Sequence, residues 1–259
     1  MRNHGLPDAA FPVIVAHRGA SSTHPENTLP AFEAALALGA DLVELDVRLS
    51  SDAVPVVMHD PTVDRTTDGS GAVHELTAEQ LRSVNAGTPD VPARVPTLRE
   101  VLELVTGRAG VALEIKNVPG EPAFDAERER IVEAVYEELD RAGFEGPVLV
   151  VAFNPASIAA SKAIAPEVPT GLLTTEHVDP REALAHILER GHDMVLPGSR
   201  ALIPAGEGFV SEVHEAGRRV GTWTIDDATT VGMLLDRGLD AIASNDPAMA
   251  LGVRASRAG

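Results

Sequence analysis

Eight short apolar runs with β character, separated by Ala- and Leu-rich stretches of helical spacing, are what most restricts the fold of this chain. The runs cover residues 12–16, 41–47, 111–115, 147–152, 168–173, 193–196, 219–224 and 240–243. The amphipathic stretches cover 29–38, 98–106, 125–141, 155–164, 180–190, 207–216 and 228–237, with a last short one after Pro247. A parallel neighbour strand needs a crossover long enough to carry the chain back to the same end of the sheet, so this alternation implies βαβ units. Eight units in 259 residues match a closed (β/α)8 TIM barrel. A doubly wound open sheet meets the same periodicity. Asn27 reads as the N-cap of the first helix and Gly39 as its stop, while Gly191, Gly217 and Gly238 fall where later helices should end.

One interval breaks the rhythm. Residues 50–95 hold a short strand at 54–58, then a polar stretch punctuated by Gly69, Gly71, Pro89 and Pro92. This is too long for an ordinary βα loop. It is expected to be an insertion after the second strand, on the C-terminal face, within a single domain covering 1–259. Barrel active sites sit on that face, so the insertion should shape a substrate pocket. The tail, 253–259, is expected to be loosely ordered.

Charge narrows the function. A formal net charge of −18 disfavours DNA, RNA and anionic lipid as partners. An anionic substrate would need positive charge gathered locally. The absence of Cys excludes disulfides, thiolate metal sites and cysteine nucleophiles. No signal peptide is read in residues 1–12, and no run of about 18 apolar residues occurs. The expectation is a cytoplasmic protein without a membrane anchor, working as a monomer or small homo-oligomer.

Polar groups collect at the ends of otherwise apolar strands. The first run leads into His17, Arg18 and Gly19, the second contains Glu44 and Asp46, and the third ends in Glu114 followed by Lys116. Side chains alternate along a strand, so Glu44 and Asp46 share one face, as do Glu114 and Lys116. Three carboxylates at one barrel mouth repel one another unless something compensates. A hard divalent cation would do so, and carboxylate oxygens suit Mg²⁺, Ca²⁺ or Mn²⁺. Ion pairing with Arg18, Arg48 and Lys116, without metal, is the competing account. His17 and His59 have the right chemistry to exchange protons near neutrality; bonding to loop carbonyls is the plainer role for either alone. Arg18 and Lys116 could neutralise a phosphate. Trp223, the only tryptophan, is either a pocket wall or a core anchor. Tyr136, the only tyrosine, is expected at the surface.

These residues fall in segments that together resemble the glycerophosphodiester phosphodiesterase family. The segments are His17-Arg18-Gly19-Ala20, Pro25-Glu26-Asn27-Thr28, Glu44-Leu45-Asp46-Val47, Val56-Val57-Met58-His59-Asp60, Asp64-Arg65-Thr66-Thr67, Glu114-Ile115-Lys116, Trp223-Thr224-Ile225 and Ser244-Asn245-Asp246-Pro247. The resemblance implies a metal-dependent barrel enzyme that cuts small glycerophosphodiesters to sn-glycerol 3-phosphate and an alcohol. It implies one divalent cation, Mg²⁺ or Ca²⁺ with Mn²⁺ as a further candidate, held by Glu44, Asp46 and Glu114. It implies His17 and His59 as the general acid/base pair, with Arg18 and Lys116 near the phosphate. Asn27 is a further candidate metal or phosphate neighbour. Two departures stand out: Asp226 where the family usually has Asn, and Ala53 where it usually has Gly. A lysophospholipid phosphodiesterase and a silent phosphate-binding module are the rival functions.

Overall fold

The computed structural model describes residue 5 and residues 12–257. The remaining residues of 1–12, over which the missing signal peptide was read, and residues 258 and 259 of the tail lie outside them. The eight expected strands form as β1 (Val13–Ala16), β2 (Leu42–Leu49), β4 (Gly110–Ile115), β5 (Val148–Ala152), β6 (Thr170–Thr174), β7 (Met194–Pro197), β8 (Arg219–Thr222) and β9 (Ala241–Ser244). Each pairs in parallel with its neighbour, and β1 pairs with both β9 and β2, so the sheet closes into a barrel. A ninth strand among the described residues, β3 (Pro55–Val57), runs antiparallel to the C-terminal end of β2.

The helices are α1 (Leu29–Leu38), α2 (Ala78–Ser83), α3 (Leu98–Val105), α4 (Arg130–Ala142), α5 (Pro155–Ile164), α6 (Pro180–Arg190), α7 (Ser199–Glu215), α8 (Ala228–Asp236) and α9 (Pro247–Ala255). Alternation along the strands divides the apolar residues into two layers. Ile14, Val43, Leu45, Leu113 and Val150 pack outward against the helices, with Phe32 and Phe209 among their partners. Val13, Val15, Leu42, Leu149 and Leu196 point inward and fill the barrel. A barrel packed this way is a solid core, so polar groups find room only at its ends. The segment 50–95 builds a small core of its own from Val56, Met58, Val63, Val73, Leu81 and Val95.

Several boundaries differ from those read in the sequence, each for a local reason. Helix α1 is capped by Thr28, whose side chain accepts from the Ala31 N–H, and not by Asn27. Asn27 is itself left-handed at φ 56°, a conformation in which its side chain turns elsewhere. Helix α4 begins at Arg130 instead of 125, because Asp125 is held in the preceding loop by Asn117, whose Oδ1 accepts from its N–H at 2.9 Å. Helix α7 starts at Ser199, well before 207, and runs through a kink at the non-helical Gly206 (φ 75°, ψ −174°), after which the stretch read in the sequence begins. Tyr136 is partly buried, its hydroxyl 2.7 Å from Ser161 Oγ. The tail is helical as far as Ala255. No described helix is long and apolar enough to cross a membrane.

Candidate active site

Glu44, Asp46 and Glu114 lie on the inward side of adjacent strands, with Asp46 opposite Glu114 in the β2–β4 register. Ligand atoms of all three fall within 4.8 Å of one another, and all three are buried. Lys116 Nζ sits 2.9 Å from Asp46 Oδ1 and also bonds Glu114 Oε1. Arg18 Nε approaches Asp46 Oδ2 at 3.2 Å, and the Arg18 backbone N–H donates to Glu44 Oε2 at 2.9 Å. Asn27 Nδ2 donates to Asp46 Oδ2 at 2.7 Å. Three carboxylates therefore face two side-chain cations, and Glu44 Oε1 is buried without any hydrogen-bond partner.

The electrostatics follow from this count. Burial, and then the charges of Asp46 and Glu114, push the Glu44 carboxyl well above the usual carboxylate range. Burial also raises Glu114, with Lys116 opposing it. Asp46 goes the other way: despite burial, Lys116 and Arg18 hold it below the usual range. Burying a carboxylate with an unfilled oxygen costs several kcal/mol. An oxygen-seeking cation removes that cost, whereas ion pairing with the side chains present leaves it in place. Arg48, which the sequence offered as a third counter-charge, does not reach the cluster. It pairs with Glu121 (Nη1 to Oε2, 2.6 Å) and donates from Nε to the His59 carbonyl at 2.9 Å.

Both histidines reach this mouth with Nδ1 already engaged. His17 follows β1; its Nδ1 is 2.7 Å from Asn245 Oδ1, contributed by the loop after β9. His59 follows β3; its Nδ1 is 2.6 Å from Asp60 Oδ1. Burial lowers the pKa of each, helped by Arg18 at His17 and by Lys116 at His59. Arg65 grips Asp60 from the far side, Nε to Oδ2 at 2.5 Å, and that bond draws the Asp60 carboxyl down to about 2. Glu26 accepts from both Arg18 and Arg65, linking the two histidine loops. By contrast the His24 ring bonds Thr23, Nδ1 to Oγ1 at 2.9 Å, and its backbone N–H donates to the Ala20 carbonyl.

The loop carrying His17 and Arg18 lies tight against α1. Gly19 has φ 82°, and a Cβ there would stand 2.6 Å from the Ala31 carbonyl carbon, so no other residue lets this loop approach. Trp223 spends its polar atom on the Leu196 carbonyl (Nε1 donating, 3.0 Å) and meets Phe153 edge-on at 5.3 Å. Its ring borders a largely apolar cavity shared with His17, Glu44, Glu114 and Leu173, so Trp223 is at once anchor and wall. Beside Lys116 a second cavity of about 360 Å³ is lined by Arg48, Ser50, Pro61, His74 and Asp125. The segment 50–95 thus contributes one wall.

The structure brings together the catalytic, substrate-binding and metal-binding candidates of the sequence, His17, His59, Arg18, Lys116, Trp223, Glu44, Asp46 and Glu114, while Arg48 is turned away. It adds Asn245, Asp60, Arg65 and Glu26, which hold the others. All four stand inside segments already noted for the family resemblance; Asp60 holds its immediate neighbour His59, but Asn245 meets His17 across 228 residues and Glu26 meets Arg65 across 39, which no local spacing announces.

The Glycerophosphoryl diester phosphodiesterase family model matches residues 17–249. A glycerophosphodiester phosphodiesterase of Caldanaerobacter subterraneus subsp. tengcongensis is 34% identical over 244 residues, covering 91% of this chain and 94% of that protein. One from Bacillus altitudinis is 32% identical over 252 residues, covering 93% and 97%. Among solved structures, an Oleispira antarctica phosphodiesterase in complex with the product sn-glycerol-3-phosphate superposes with a TM-score of 0.84 at 28% identity, covering 95% of this chain and 98% of that one. With the barrel, the carboxylate cluster and the paired histidines in place, the chain belongs to the glycerophosphoryl diester phosphodiesterase family.

Proposed function

We propose that the protein hydrolyses small glycerophosphodiesters to sn-glycerol 3-phosphate and an alcohol such as choline, ethanolamine, glycerol or inositol. The observation that carries this reading is the buried triad Glu44, Asp46 and Glu114, flanked by two histidines that share one arrangement: Nδ1 held by a side-chain oxygen. Product binding in the Oleispira enzyme supports the substrate class. Glu44, Asp46 and Glu114 would hold a divalent cation, Mg²⁺ or Ca²⁺ with Mn²⁺ as a further candidate. The donor set fits, being all carboxylate oxygen with Glu44 Oε1 buried and unpartnered. Bound there, such a cation supplies Lewis-acid polarisation of a phosphoryl oxygen.

The rest falls to the chain. Arg18 and Lys116 bring positive charge to the non-bridging oxygens and offset the charge that grows in the transition state. His17 and His59 keep Nε2 for proton transfer. One takes the proton of the attacking group, whether water or a substrate hydroxyl, and the other delivers a proton to the departing alkoxide, which is too basic to leave unprotonated. The indole face of Trp223 packs against the carbon skeleton of the substrate. Segment 50–95 encloses the alcohol side through the cavity beside Lys116.

The test is incubation with glycerophosphocholine and Mg²⁺, Mn²⁺ or Ca²⁺ in turn, with an EDTA control and glycerol 3-phosphate read by a coupled dehydrogenase. Metal-restored release is the expected result. Absence of release with every metal, from folded protein, would overturn the assignment in favour of a lysophospholipid substrate or a silent phosphate binder.

A further inference from the structure

Asp226 stands just beyond β8, outside the catalytic cluster, yet three hydrogen bonds converge on it. Its Oδ1 accepts from the Asn245 backbone N–H at 2.8 Å and from Ser244 Oγ at 3.2 Å. Its Oδ2 accepts from Asn245 Nδ2 at 2.6 Å. A carboxylate only accepts, so the amino side of the Asn245 amide has to face it. That removes the usual freedom to turn an amide over. Asn245 Oδ1 must then point the other way, where it lies 2.7 Å from His17 Nδ1 and 2.9 Å from Ser21 Oγ. A carbonyl oxygen cannot donate. The proton of the neutral His17 ring therefore resides on Nδ1, and Nε2 carries the lone pair.

We propose that Asp226 is a positioning residue: through Asn245 it holds His17 as the Nδ1–H tautomer, with Nε2 free to accept a proton. The tautomer rests on donor and acceptor bookkeeping alone; its value for turnover rests on the phosphodiesterase reading above. An asparagine at this position would do the opposite. Its Oδ1 would keep the Asn245 backbone N–H, leaving its NH₂ facing the NH₂ of Asn245. Turning the Asn245 amide over relieves that clash and presents Nδ2 to His17 Nδ1. That nitrogen must then accept, and the ring proton moves to Nε2.

The experiment uses full-length, Mg²⁺-loaded protein with ¹⁵N-labelled histidine. Long-range proton–nitrogen correlations are recorded where His17 is neutral, and His17→Ala assigns the signals. The wild type should show a protonated Nδ1 and a pyridine-type Nε2. Asp226→Asn should show the reverse and lower kcat roughly 10- to 100-fold, with KM within about twofold and an unchanged melt. The double variant Asp226→Asn with Asn245→Asp should restore both, since it exchanges the two groups: the carboxylate moved next to the ring accepts from Nδ1–H and from the amide that replaces it. An Nε2–H tautomer in the wild type would overturn the proposal. So would an unchanged tautomer in Asp226→Asn, or a reversed tautomer with undiminished kcat. A wild type that holds Nδ1–H but turns over no glycerophosphodiester would remove the phosphodiesterase reading and the catalytic half of the proposal, leaving the bond chain standing.

Discussion

Asn27 and Asp46 are joined by a buried hydrogen bond of 2.7 Å, from an amide in the loop before α1 to the least exposed carboxylate of the site. Asn27 is held left-handed at φ 56° to reach it, and the helix cap falls to Thr28 instead. The residue that looked like a helix signal thus orients a metal-ligand candidate.

Removing that amide should loosen Asp46 and weaken Mg²⁺ binding by roughly tenfold. Asn27→Gly and Asn27→Ala should do so alike, while Gly is the more stable of the two because the left-handed backbone costs an alanine about 1–2 kcal/mol. Titration calorimetry with Mg²⁺ and thermal melts of both variants separate the two effects. Undiminished Mg²⁺ affinity in both would show that Arg18 and Lys116 keep Asp46 in place without the amide.

His17→Ala and His59→Ala should each reduce kcat by roughly 10²-fold or more, with KM little changed, because each removes a proton transfer and not a binding contact. Steady-state kinetics on glycerophosphocholine checks this. Near-native turnover in either variant would defeat the two-histidine scheme.

In the metal-free protein, the contribution of Glu44 to stability should be lost as pH rises from the acid side. Glu44 has its carboxyl raised in the fold; between its ordinary value and its folded value the native state binds a proton that the unfolded chain has released. The Glu44 contribution is therefore fully present below the ordinary value and falls as pH climbs through that window. A divalent cation competes with the same proton. Saturating Mg²⁺ should raise Tm more at pH 8 than at pH 5. Glu44→Gln should flatten the pH dependence and abolish the Mg²⁺ response. A Tm rise independent of pH in the wild type would place the cation elsewhere.

Ala53 occupies φ 60° in the turn between β2 and β3. That conformation costs about 1–2 kcal/mol in an alanine, and Gly gives back about 0.4–1 kcal/mol through its freer unfolded chain. Ala53→Gly should therefore stabilise the protein by about 0.5–1 kcal/mol in urea unfolding, without altering kcat. A destabilised variant would mean that the methyl group makes a contact worth more than the strain.

What the sequence alone determined was the succession of eight βα units and the inward-facing chemistry, while closure into a barrel and not a doubly wound sheet was decided by the pairing of β1 with β9. Both depend on periodicity: a period of two set Glu44 and Asp46 on one face and Leu45 on the other, and regular spacing separated eight strands from their helices. It also marked segment 50–95 as an interruption. Tertiary structure alone decided which partners complete each group. Arg48 could pair with Asp46 by spacing, but the β2–β3 hairpin turns it to the His59 carbonyl and Glu121. Asn245 meets His17 only because β9 closes the barrel against β1. Such bonds join positions as far apart as 228 residues, and their geometry exists only once the sheet has closed. Local pattern reports which side of a strand a residue takes; the closed barrel decides what it meets there.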